Sequence, residues 1–114
     1  MTEATETYQE EDFEVSDSNE QEELSSEEQL LNHISDLSKR GYQLLKEDLI
    51  DDAEYCFHQI LELDEVNNYA LVGLGDASRK RGAFREAISH YQKCLENHEG
   101  NNYALFGLAD CYKA

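Results

Sequence analysis

The sequence predicts an all-α protein made of stacked helix pairs, and two observations lead there. From Leu30 onward apolar residues recur every three or four positions, with no lasting strand-like alternation. The chain also matches itself when position 67 is laid on position 101. Asn67-Asn-Tyr-Ala-Leu71 returns as Asn101-Asn-Tyr-Ala-Leu105, and across 67–76 and 101–110 eight of ten positions are identical. The same shift pairs Leu37 with Leu71, Gly41 with Gly75, Ala53 with Ala87, and Phe57 with Tyr91. In a helical chain such a period marks a solenoid whose unit is a helix pair.

The N-terminal part is of another kind. Twelve of the 26 acidic residues lie in 1–28, and no Lys or Arg occurs before Lys39, so the net charge of −17 is mostly a property of this segment. Residues 1–24 have few apolar side chains and no period, too little burial to offset the entropy of ordering. They are expected to be a disordered acidic tail that serves as a solubilising leader, with capture of a basic partner as the other use. Phosphate backbones and anionic lipid repel so acidic a chain, which argues against nucleic acid and membrane as partners.

No apolar run approaches the roughly 20 residues needed to span a bilayer. Met1 to Tyr8 has neither the basic start nor the apolar run of a secretory signal. The odd set Cys56, Cys94 and Cys111 fits reduced thiols, and the expected compartment is the cytoplasm.

Order is expected from Ser25 to the end. Ser25-Ser-Glu-Glu28 has the capping-box spacing, and Leu30, Leu31, Ile34 and Leu37 follow at helical intervals. Repeats then run over about 34–67 and 68–101, with a partial third over 102–114. Gly41, Gly75 and Ala109 are small where the helices of a pair come closest, and Ala53 and Ala87 are small on the facing helix. Phe57 and Tyr91 fill the space between pairs. Gly82 follows the basic helix end Arg79-Lys-Arg81, as a C-terminal cap would, and that end, with Arg85, reads as solvated. Gly73 and Gly107 recur at the period, for packing or as exposed groove backbone.

These repeats resemble tetratricopeptide (TPR) repeats. That family carries large-x-x-Leu-small on the first helix and Ala-x-x-x-aromatic-x-x-small on the second. Leu71, Leu74, Gly75, Gly82, Phe84, Ala87, Tyr91 and Cys94 fill the pattern in one repeat. Leu37, Gly41, Ile50, Ala53, Phe57 and Ile60 do so in the repeat before it, and Leu105, Leu108, Ala109 and Tyr112 in the partial one. The chain departs from the family in having Arg40 for the usual Leu, and Glu65 and Glu99 where Pro is common. With no proline, the turns rely on Asn67, Gly100 and Asn101.

The resemblance implies about two and a half repeats of a bacterial-type array, read as a fragment of a longer one. It implies a binding module or scaffold that holds a peptide or helix of another protein in the concave groove. The groove would be lined by Tyr69, Val72, Asp76 and Arg79 in one repeat and by Tyr103, Phe106, Asp110 and Lys113 in the next. In the first repeat Ser38, Tyr42, Leu45 and Lys46 would take those places. Ser38, Tyr42, Gly73, Tyr103 and Gly107 occupy the positions of the family's carboxylate clamp, and none is Lys, Arg or Asn, so that specialisation is not expected. The other readings are a secretion-type chaperone, or the interaction part of a larger enzyme or regulator. Leu105, Leu108 and Tyr112 lack a second-helix partner, so self-association through the open C-terminal end is expected as well.

Catalysis, metal and cofactor find little support. His90, Cys94 and His98 follow at i, i+4, i+8, which puts the outer two roughly 12 Å apart along a helix. Cys56 and His58, at i and i+2, point to different faces. Gly73-Leu-Gly75 lacks the rest of a phosphate-binding fingerprint. The expectation is a protein that is not an enzyme, with no cofactor and no metal. The helix-pair register has its own check: Ala87→Leu should overpack a helix contact and cost roughly 1–3 kcal/mol. Glu86→Leu, one residue away, should cost almost nothing, and urea unfolding of both variants separates the two positions.

Overall fold

A computed structural model describes residues 25–114 of the chain. The expected disorder of residues 1–24 lies outside the described residues. By their internal contacts the described residues divide into two units, 25–33 and 34–114. Every regular element among the described residues is a helix: α1 (Ser26–Lys46), α2 (Ile50–Leu63), α3 (Asn68–Lys80), α4 (Phe84–Asn97) and α5 (Asn102–Lys113).

In the first unit, the start of α1 is a reciprocal cap. The Ser25 backbone N–H donates to Glu28 Oε1 at 3.0 Å, and the Glu28 N–H donates to Ser25 Oγ at 3.0 Å. The capping box is therefore present as the spacing predicts. Leu30 and Leu31, which continue the apolar pattern, are exposed.

In the second unit, α2 packs on α3, α3 on α4, and α4 on α5, while α3 also reaches α5. Two apolar clusters result. The first joins Ile34, Leu44 and Leu45 of α1 to Ala53, Phe57 and Ile60 of α2 and to Ala70, Leu74 and Ala77 of α3. The second joins Leu71 and Val72 of α3 to Ala87, Tyr91 and Cys94 of α4 and to Ala104 and Cys111 of α5. Ala53 and Ala87 are fully buried, where the small-residue pattern places helix contacts.

One aromatic ring organises each cluster. Phe57 lies against Gly41 and Gly73, and a Cβ on Gly41 would sit 2.6 Å from its ring, on Gly73 closer still. Tyr91 lies in the same way against Gly75 and Gly107. Gly73 and Gly107 are thus packing positions. Ala109 departs from expectation: it is exposed, and none of the described helices covers it.

The helix ends repeat as well. Asn67 Oδ1 accepts from the Ala70 N–H at 3.0 Å, and Asn101 Oδ1 from the Ala104 N–H at 2.9 Å. Each is an N-cap, which explains why the turns manage without proline. At the C-terminus of α3, Gly82 has φ +80°, with Gly82 N–H bonded to Arg79 O and Ala83 N–H to Ser78 O. That pair of bonds is a Schellman cap. The end of α1 carries the same cap one period earlier, with Asp48 N–H on Leu45 O and Leu49 N–H on Leu44 O. There the left-handed residue is Asp48, at φ 64°.

An L side chain in this region costs energy that glycine avoids. Asp48→Gly should therefore raise stability by about 0.5–1 kcal/mol, because the exposed Lys80–Asp48 pair it removes, 3.8 Å apart, contributes little. Gly82→Ala should lower stability by about 1 kcal/mol. Denaturant midpoints that move in opposite directions for the two variants are the expected result.

Candidate functional site

The first turn of α3 and the second half of α1 face each other across a cleft of about 660 Å³. Ser38, Lys39 and Tyr42 of α1 line one side. Asn68, Tyr69, Val72 and Asp76 of α3 line the other, and Asn101 and Tyr103 close it at the start of α5. The helical spacing 69, 72, 76 puts three side chains of α3 on one stripe.

Tyr42 is the fixed point of this cleft. Its hydroxyl donates to the Tyr69 carbonyl at 2.6 Å, which ties α1 to α3. Its ring meets Phe57 edge-on, with centroids 5.1 Å apart, so the cleft rests directly on the first core cluster. Burial, and then the nearby Asp76, hold this phenol well above its usual pKa, so it remains a neutral donor. Tyr69 and Tyr103 behave differently: they are 56% and 75% exposed.

At the far end a polar cluster joins three helices. Tyr91 is buried in the core, and its hydroxyl donates to Asp76 Oδ1 at 2.5 Å. Arg79 Nε donates to the same hydroxyl at 3.2 Å, and Arg79 Nη2 to Asp76 Oδ1 at 3.3 Å. Arg79 Nη1 also lies 3.9 Å from Asp110 Oδ2, and Lys113 Nζ lies 3.9 Å from Asp110 Oδ1. Burial pushes the Tyr91 phenol up, while its hydrogen bond to Arg79 helps keep the guanidinium charged.

The nine groove positions expected from the sequence therefore divide. Tyr42, Tyr69, Val72, Asp76 and Tyr103 line the cleft. Arg79, Asp110 and Lys113 do not line it; their charged groups lie near one another and near Asp76. Phe106 does not line it either and is 67% exposed. Of the first-repeat positions, Leu45 is buried in the core and Lys46 is outside the cleft.

Lys39, Asn68 and Asn101 are lining residues that the groove pattern missed. Lys39 lies one helical turn before Tyr42, which was the available signal. The basic end of α3 is also not simply solvated. Arg81 reaches Asp51, and Glu54 at 2.9 Å, both at the start of α2.

The cysteines are buried, and one histidine is tied to the backbone. Cys56, Cys94 and Cys111 are buried and unbridged, and burial raises the pKa of each thiol, which disfavours the reactive thiolate. Cys94 belongs to the core, while His98 Nε2 lies 2.7 Å from the Val66 carbonyl oxygen. Among the described residues no three His, Cys, Asp or Glu side chains gather as a metal site would require. No helix among them is long and apolar enough to cross a membrane. No protein-family model matches the chain, and a comparison with curated proteins gives no match.

The polar cluster should act as a unit. Tyr91→Phe removes one buried hydroxyl and should cost about 1 kcal/mol. Asp76→Ala strands that hydroxyl and the guanidinium, and should cost roughly 1–3 kcal/mol. The double variant should cost less than the two singles added, by at least about 0.5 kcal/mol, in a urea-unfolding cycle.

Proposed function

We propose that residues 34–114 form a TPR-like array of helix pairs whose cleft binds a peptide or helical segment of another protein. Recurrence at one fixed period supports the array. Phe57 and Tyr91, the cap residues Asn67 and Asn101, and the left-handed residues Asp48 and Gly82 all repeat at that interval. On this reading the chain is a binding part with no catalytic role.

The observation that carries the binding proposal is the pair of exposed rings, Tyr69 and Tyr103, at equivalent positions of α3 and α5 in a cleft whose floor includes Tyr42 and Val72. Large rings that lose solvent on binding are the residues that dominate protein interfaces. Tyr42 and Val72 need no rearrangement to receive an apolar side chain, because one is hydrogen-bonded in place and the other is buried in a core cluster. Lys39, Asp76, Asn68 and Asn101 surround this floor with charged and amide groups. Such a rim fixes the direction and register of a bound segment and adds less to its affinity.

Selection from a displayed peptide library, followed by titration of the enriched peptides, tests this. Tyr69→Ala and Tyr103→Ala should each weaken the selected peptides by about 1 kcal/mol or more, roughly fivefold or greater. Phe106→Ala should leave binding unchanged, since Phe106 is outside the cleft. Enriched peptides indifferent to both tyrosine substitutions would refute the cleft as the binding site.

A further inference from the structure

Resting on the reading of the cleft as a binding site, we propose that its ligand is a proline-rich segment of a partner protein. The segment lies extended as a polyproline II helix and has basic flanks. The hydrogen-bonding groups of the lining point to it, because the acceptors there are largely in use. The Tyr69 carbonyl accepts from the Tyr42 hydroxyl, and Asn101 Oδ1 accepts from the Ala104 N–H. Asp76 Oδ1 accepts from the Tyr91 hydroxyl and from Arg79. The donors are in a different position. Among the described residues, no partner holds the Tyr69 or Tyr103 hydroxyl, the Lys39 ammonium, the Asn68 amide or Asn101 Nδ2.

Such a lining is completed by a ligand that offers acceptors and brings few donors. Proline has a carbonyl but no N–H, and the carbonyls of a polyproline II helix bond to nothing within their own chain. An α-helix has already engaged its carbonyls with its own N–H groups. An ordinary extended segment brings one N–H per residue, for which the lining has few acceptors left. The apolar surfaces agree with this choice. Tyr69 and Tyr103 are exposed rings and Val72 is an aliphatic floor, and proline rings pack on aromatic-lined grooves of that kind. A polyproline II segment is also preformed, so it loses little conformational freedom on binding.

Charge sets the flanks. Lys39 and Asp76 give the lining one charge of each sign, which suits an uncharged run of residues. The chain as a whole has a net charge of −17, so it repels an acidic segment and attracts a basic one from a distance. The prolines therefore belong in the cleft and the basic residues on either side of it.

The probe is a synthetic peptide of six consecutive prolines with two arginines at each end, titrated into the full-length 15N-labelled chain. The comparator keeps the arginines and replaces the prolines by alternating alanine and glutamine. The expected result is saturable shifts at Asn68, Tyr69, Val72 and Tyr103 with the proline peptide, and binding at least about tenfold weaker for the comparator. Tyr69→Phe and Tyr103→Phe keep the ring and remove the donor, and each should weaken the proline peptide about threefold or more. Asn68→Ala removes an amide and should do the same, while alanine's helix propensity keeps the circular dichroism of the parent. A comparator that binds the cleft as tightly overturns the proposal and leaves the cleft a binding site. So does a library selection whose enriched peptides depend on Tyr69 and Tyr103 yet hold no proline run. Unchanged affinity in all three donor variants also overturns it, as does a lack of saturable cleft shifts with the proline peptide. If the selected peptides ignore both tyrosines as well, the reading of the cleft falls with it. Concentration-dependent cleft shifts without peptide would make the occupant a second copy and overturn the proposal too.

Discussion

A flat ring pressed between two glycines sets the geometry of residues 34–114. Phe57 lies against Gly41 of α1 and Gly73 of α3, and Tyr91 lies against Gly75 of α3 and Gly107 of α5. A Cβ at any of the four positions would intrude on a ring, so the helix axes can approach only because these residues have none. The fully buried Ala53 and Ala87 serve the same approach on the ring-bearing helices. Truncating a buried ring of this kind typically costs about 3–5 kcal/mol, roughly half the stability of a small domain.

The two ring layers differ in polarity, and their neighbours differ to match. Phe57 has no polar atom, and its neighbour Tyr42 meets it with a ring edge. Tyr91 brings a hydroxyl into the core, and Asp76, the repeat equivalent of Tyr42, is the acceptor that satisfies it. A buried hydroxyl without a partner costs roughly 1–3 kcal/mol, so changing the ring from Phe to Tyr constrains the residue opposite. Arg79 then compensates the charge of Asp76 and extends the cluster toward Asp110. The end of the cleft near Asp76 is polar for a reason that starts inside the core.

Much of this was legible in the sequence, because the period is carried by residues whose roles follow from size alone. The helices, the capping box, the buried alanines and the Gly82 cap could all be read from spacing. Asp48 could have been read too, since the repeat maps it onto Gly82, but an aspartate does not advertise a positive φ. The cleft was only partly legible. Tyr42, Tyr69, Val72, Asp76 and Tyr103 follow from helical spacing, whereas Phe106 was placed there by analogy with Val72, whose face α4 and α5 cover. Among the described residues no helix covers α5 in the same way, so equivalent positions have different surroundings. Lys39 was missed for a related reason. Its repeat equivalents Gly73 and Gly107 each receive a ring from the preceding helix, whereas Lys39 lies on the first of the described helices and has no such ring against it.

On the proposed reading of the cleft, the same inequality separates stability from recognition. Residues that hold the helices together, Phe57, Tyr91 and the four glycines, are buried and coupled to their partners, so few substitutions there are tolerated. Tyr69 and Tyr103 occupy equivalent positions in consecutive repeats, yet their side chains carry little of the packing, being 56% and 75% exposed. Replacing either ring changes what the cleft offers a ligand while leaving both core clusters intact. Tyr42 bridges the two classes: one edge of its ring is on Phe57, its hydroxyl holds the Tyr69 carbonyl, and its remaining surface faces the cleft. Loss of Tyr42 would therefore disturb affinity and stability together, and a loss of binding in that variant alone would say little about contact with a ligand. The exposed tyrosines are the positions where binding can be read without that ambiguity.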